Sequence, residues 1–364
     1  MKKIMTPRER VLAALRREPH DRVPVGGILW SGLQHDLIDL DYTWEETFHD
    51  PDKLFRVVER QHTEYGYDYF GIPIDMRIEG EAFGSQVGYN LSTGRGMRLG
   101  MVTKWIVERE KDLTSLKVYE PKKVSRMAMI LEVVTRLREK YPDVAIFGYV
   151  NGIANTHTDV VNDTEKFPKD PHGHFRTLFE NITSNPKFVH RTNEILLEGA
   201  ISWGKALIKA GCDGITTLES MSFLGLAPDQ YVEFVTQYHS RLLKVLGVPY
   251  IIHECDIGKV IKEIVTMGPT ACIISSPIEL KWAFENYGDK LCFIGNLGTH
   301  NPGDILCSGN RDMAKKAARA CIEVAKTVNG FILGGGCEVH FGVPRENIKV
   351  MSEAVKEYGQ LMPH

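Results

Sequence analysis

Val248-Pro249-Tyr250-Ile251-Ile252-His253-Glu254-Cys255-Asp256 is a short apolar run that ends in an imidazole and a thiol two positions apart. Just before it, Tyr231, Val235, Tyr238 and Leu242 recur at helical spacing and stop at Gly247, with Pro228 near the start. A helix feeding a buried strand is one unit of a repeating pattern. Leu196, Ala200, Trp203 and Leu207 show the same helical spacing before Gly211. Short β-rich runs fall at 23–28, 67–74, 145–150, 214–218, 248–253, 271–275, 291–297 and 330–333. Strands alternating with helices predict an α/β fold with a parallel sheet, and eight such runs predict a (β/α)8 TIM barrel. A doubly wound open sheet is the alternative, but no G-x-G-x-x-G follows an early strand. No linker is evident, so residues 1–364 read as a single domain.

The run that decides the fold also carries chemistry. In an extended strand the side chains at i and i+2 point to one side, so one ion can reach both His253 and Cys255. A second apolar run, Phe331-Ile332-Leu333, opens into Gly334-Gly335-Gly336-Cys337, and this thiol lies 82 residues after Cys255. Imidazole and thiolates are ligands that zinc prefers, and three protein ligands leave a fourth position for a substrate atom. The residues alone leave two readings open, a metal site or core side chains at strand ends.

Barrel active sites form at the carboxyl ends of the strands. Polar residues at those positions are Asp75, Asn151, Glu219, Ser275, Asn296 and His340. Glu219 is the carboxylate favoured near the metal, as fourth ligand or orienting group; the equal alternative is a helix amino-terminal carboxylate beside Ser220. Asn151 is the other catalytic candidate. Asp75, Ser275, Asn296 and His340 are taken as substrate-binding, with Leu29 and Trp30 as an apolar pocket wall. Glu254 alternates away from the ligand side, towards solvent or a helix. Cys212, Cys272, Cys292 and Cys321 sit in or beside apolar segments and read as small core residues.

The opening Thr6-Pro7-Arg8-Glu9-Arg10-Val11-Leu12-Ala13-Ala14-Leu15, the segment Asp21-Arg22-Val23-Pro24-Val25 and the ending Pro344-Arg345-Glu346-Asn347-Ile348 frame the His-x-Cys and Gly-Gly-Gly-Cys motifs. Together they resemble the uroporphyrinogen decarboxylase-like superfamily, in its zinc-dependent, corrinoid-linked methyltransferase branch. The resemblance runs essentially end to end. It implies zinc on His253, Cys255 and Cys337. It also implies methyl transfer between a small methylated substrate and the cobalt of a corrinoid (cobalamin) held by a partner protein, since no D-x-H-x-x-G corrin-binding pattern occurs here. The coenzyme M methyltransferases of that branch carry a carboxylate at the end of the sixth run, where this chain has Ser275-Ser276. The decarboxylases grip their substrate with arginines after the first strand, and Gly26-Gly27-Ile28-Leu29-Trp30-Ser31-Gly32-Leu33 has none. Polyanion recognition calls for such forks. A methoxylated aromatic, demethylated at oxygen, is therefore the expected substrate. Methyl transfer to a thiol is the alternative, and a metal-free lyase a weaker one.

Net charge is −3 with no long basic run, which argues against nucleic acid. No apolar stretch approaches a membrane span of about 20 residues. The amino terminus lacks a signal-peptide core, and seven scattered cysteines fit a reducing cytoplasm. Two stretches exceed a minimal barrel. Residues 84–118, rich in glycine (Gly84, Gly88, Gly94, Gly96, Gly100), predict a β-hairpin insertion. Residues 151–185 are long and polar and predict a lid loop over the barrel mouth.

Overall fold

The computed structural model describes residues 4–72, 75–88, 100–167, 172–276, 278–299 and 301–361. Thr6 starts the first helix, Pro7–Leu15, through a complete capping box: the Glu9 N–H donates to its hydroxyl, and Glu9 accepts from the Thr6 N–H. Such a box satisfies two amide donors that the helix itself leaves unpaired.

Seven strands form one parallel sheet, in sequence order: β1 (Tyr69–Gly71), β4 (Ala145–Asn151), β5 (Gly214–Glu219), β6 (Tyr250–Glu254), β7 (Ala271–Ile274), β8 (Cys292–Leu297) and β9 (Phe331–Gly335). β2 (Gln86–Gly88) and β3 (Met101–Lys104) pair antiparallel as the expected hairpin, and its glycines at 94 and 96 lie outside the described residues.

The first predicted strand, 23–28, is present as a short segment rather than a full ladder. Val25 bridges Leu333 in parallel, Gly26 N–H donates to the Leu333 carbonyl, and Leu333 N–H donates to Pro24, both at 2.9 Å. On its other side Val25 accepts from the Asp68 N–H at 2.8 Å, so this segment closes the barrel between β9 and β1. Asp68 locks it there: its carboxylate takes the Val25 N–H and ion pairs from Arg10 and Arg22. Gly334 is needed at this seam, because a Cβ there would lie 2.0 Å from the Gly26 carbonyl oxygen.

The helix predicted from Leu196 to Leu207 is Pro186–Ala210, ended by Gly211 at φ 126°. Residues 151–185 differ from the expected loop. They hold the helices Ile153–Val160 and Gly173–Ser184, and every residue of the first is buried. Its polar run Asn155-Thr156-His157-Thr158-Asp159 reads as solvated in sequence. In the fold several of these groups find distant partners: Asn155 bonds the Leu218 carbonyl, His157 bonds Asn193, and Asp159 pairs with Arg77. No helix among the described residues is long and apolar enough to cross a membrane.

Candidate metal centre at the barrel mouth

His253 lies in the last turn of β6, and in the register Asn151, Leu218 and His253 share one row across β4, β5 and β6. Side chains in one row face the same way, here into the barrel. Cys255 follows the strand end and Cys337 lies just past β9. The three meet: His253 Nε2 is 3.7 Å from Cys255 Sγ and 3.5 Å from Cys337 Sγ. The two thiols also share a hydrogen bond. Distant strands thus deliver the imidazole and both thiols to one point.

These spacings can be tested against zinc. Tetrahedral Zn–N and Zn–S bonds of their usual lengths separate the two ligand atoms by roughly 3.6 Å, the middle of the observed pair. Among the described residues no group of three or more His, Cys, Asp or Glu side chains is arranged as it stands to hold a metal ion. The fit is one of spacing and donor chemistry. The hydrogen bond to Cys337, with burial, drives the Cys255 thiol far above its ordinary range. A cation bound there would reverse that preference for the protonated form. His253 is buried, which disfavours its charged form, yet the Cys337 sulfur beside it raises it overall. Its Nδ1 has no hydrogen-bond partner among the described residues, so packing sets the ring orientation.

The glycines before Cys337 serve this convergence. A Cβ on Gly336 would lie 2.8 Å from the Ser275 Cα and from the Ile274 carbonyl. The Cys337 loop therefore runs directly against Ser275, as its placement at the mouth requires. Trp30 lines a narrow cavity inside the barrel with Tyr69, Phe147, Tyr149 and Thr216. Its ring stands edge-on to Tyr149 at 5.0 Å, and the Tyr149 hydroxyl donates to Asn151 Oδ1 at 3.0 Å. Asn151 thus sits on the His253 face at the cavity end. Leu29 is turned into the core against Gly32.

Glu219 departs from the expected position. It pairs in register with Glu254, and both point away from His253 towards the helices. Its carboxylate accepts the N–H groups of Ala154 and Asn155, at 3.1 and 3.2 Å, and His239 Nε2 at 2.9 Å. It is the carboxylate cap of the buried helix Ile153–Val160 rather than of a helix beginning beside Ser220, and the two-residue period of the strand keeps it off the His253 side. Glu254 turns to the same helix layer and is fully buried rather than solvated. Burial, with Glu219 beside it, pushes Glu254 up to about 7.

The other expected contacts scatter. Asp75 is buried and pairs with Arg126 at 3.2 Å. Asn296 donates to the Ile278 carbonyl at 2.7 Å. His340 is spent on a turn, its Nδ1 accepting from Gly342 and its own N–H bonding Thr299. Conversely, no sequence motif points to Glu338, whose half-buried carboxyl lies beside Cys337 and is bonded by Ser31. Desolvation pushes it up to about 7, against the lowering effect of Ser31. A second acidic cluster lies above β4, where Glu79 accepts the Asn151 N–H. Burial pushes Glu79 up to about 8 and Asp159 up to about 7.

The sequence matches the uroporphyrinogen decarboxylase (URO-D) family over residues 6–358. The chain belongs to this family. Its relatives include a methylcobamide:CoM methyltransferase of Methanosarcina acetivorans, 24% identical over 361 residues, covering 97% of this chain and 98% of that one. A uroporphyrinogen decarboxylase of Anaeromyxobacter dehalogenans is also 24% identical, over 362 residues, covering 96% and 99%. Among solved structures, a methyltransferase from Methanosarcina mazei superposes with a TM-score of 0.85 at 22% identity, covering 97% of this chain and 99% of that chain. The family and the TIM-barrel class stand as expected, and so does kinship with the family's corrinoid-linked methyltransferases.

Proposed function

We propose that this URO-D family member is a zinc-dependent methyltransferase exchanging a methyl group between a small substrate and the cobalt of a corrinoid protein. The observation that carries the reading is the meeting of His253 Nε2, Cys255 Sγ and Cys337 Sγ at the barrel mouth. The methylcobamide:CoM methyltransferases among its relatives support the reaction class. A zinc held by those three groups would supply Lewis acidity towards the heteroatom that carries or receives the methyl.

The chain's own residues account for the rest. Trp30, Tyr69, Phe147 and Tyr149 give the narrow cavity inside the barrel, about 10 Å³, aromatic walls. Aromatic faces suit an aryl group, which favours a methoxylated aromatic as methyl donor, the cavity widening to admit it. The methyl carbon then leaves its oxygen, the bond pair stays on that oxygen, and the new bond forms to the partner's reduced cobalt. The names of the relatives favour a second reading, with a thiol as methyl acceptor. Metal analysis, then incubation with Co(I) corrinoid protein and a panel of methoxyarenes, methylamines and methyl thioethers, separates them. Methylation of thiols by methyl-Co(III), with every donor inert, would replace the first reading by the second. A chain free of zinc that gains no activity on zinc addition would remove both.

A further inference from the structure

The loop that carries Cys337 is held from two sides. Thr299 Oγ1 donates to the carbonyls of Cys337 and Glu338, each at 3.1 Å. From the opposite side the Val339 N–H donates to the Ile28 carbonyl at 3.0 Å, joining this loop to the one after the first barrel strand. The same seam is crossed by a side chain. Glu338 Oε1 accepts both the backbone N–H of Ser31, at 3.0 Å, and the Ser31 hydroxyl. Ser31 opens the 3-10 turn Ser31–Leu33 directly after Trp30 and is 307 residues from Glu338 in sequence. Gly32 permits the close approach, since a Cβ there would lie 2.9 Å from Val339 Cγ1. Two donors of Ser31 converging on one oxygen of Glu338 fix one loop relative to the other.

We propose that Ser31 and Glu338 are positioning residues that clasp the Cys337 loop to the Trp30 loop. The cavity wall and the metal-binding thiol are then set by one joint. The metal half of this inference rests on the zinc reading above; the mechanical half does not. Groups that orient metal ligands from behind commonly carry about 10–100-fold in metal affinity, so the joint has a measurable consequence.

The test compares Glu338→Ala, Ser31→Ala and Glu338→Gln in the full chain, because glutamine keeps an acceptor oxygen for Ser31. Zinc affinity by chelator competition is expected to fall about 10–100-fold in Glu338→Ala, less in Ser31→Ala, and to stay near wild type in Glu338→Gln. The absorption bands of the cobalt(II)-substituted protein should shift in the same order. Hydrogen exchange across 331–344 should quicken in the two alanine variants and not in Glu338→Gln. Equal affinity and exchange in all four proteins would overturn the proposal. So would a Glu338→Gln variant as weak as Glu338→Ala, since charge rather than the clasp would then be at work. If wild type takes up no zinc, the metal reading fails and exchange alone decides the clasp. Should Glu338→Ala not fold, Ser31→Ala against Glu338→Gln carries the comparison.

Discussion

Replacing Glu219 by alanine tests whether this carboxylate belongs to the metal site or to the scaffold. In the fold it is fully buried and holds three donors: the N–H groups of Ala154 and Asn155 and the His239 imidazole. Removing it leaves each without its partner, at about 1–2 kcal/mol apiece for a buried donor. The expected loss is about 3–6 kcal/mol, overlapping the roughly 3–5 kcal/mol found when a buried ion pair is stripped of a partner. With an unfolding entropy of about 2.1 cal/mol/K per residue, that is a fall in Tm of roughly 4–8 °C for 364 residues. Glu219→Gln keeps one acceptor oxygen and should lose about half as much. Denaturation followed by circular dichroism gives the stability, and elemental analysis of the folded fraction gives the metal. Zinc should remain at one per chain in both variants. If Glu219→Gln keeps full stability but loses zinc or turnover, the carboxylate acts on the metal side and the strand-face argument is wrong.

Three further outcomes follow from the geometry. Cys255→Ala and Cys337→Ala should each abolish stoichiometric zinc and methyl transfer while leaving the circular dichroism spectrum intact, because a mouth site with an open position orders little of the core. Zinc retained in either variant would dismiss that ligand. Trp30→Ala should raise KM for the methyl donor about tenfold with zinc content unchanged, as expected for lost binding common to ground and transition states; a change confined to kcat would contradict the cavity-wall role. Glu79 is held protonated by burial, with a pKa up at about 8 against an ordinary 4.5. The folded chain therefore keeps a proton that the unfolded chain releases, and stability declines as pH rises from about 4.5 to about 8. Glu79→Gln retains an acceptor for the Asn151 N–H and should flatten that decline, the remainder coming from Asp159, which is shifted the same way. Parallel urea midpoint-versus-pH curves for wild type and variant would refute this.

Much of this protein is written in rules that act over a few residues. The spacing from Leu196 to Leu207 with its Gly211 stop needs only neighbours along the chain and appears as read, and the capping box at Thr6 and Glu9 is equally local. The i, i+2 relation of His253 and Cys255 is likewise a property of one strand. Where a strand ends and which way it faces is set by its partners. Glu219 stands at a strand end like His253, yet register pairs it with Glu254 and turns it to the helix layer. The helix Ile153–Val160 was illegible for a related reason. Its buried polar residues are stable only because Glu219, Leu218, Asn193 and Arg77 receive them, and all four lie far away in sequence. Burial makes an unpaired polar group costly, so its meaning depends on partners that only the closed barrel assembles. The same holds for Ser31 and Glu338, which 307 positions keep apart until the first strand segment closes against β9.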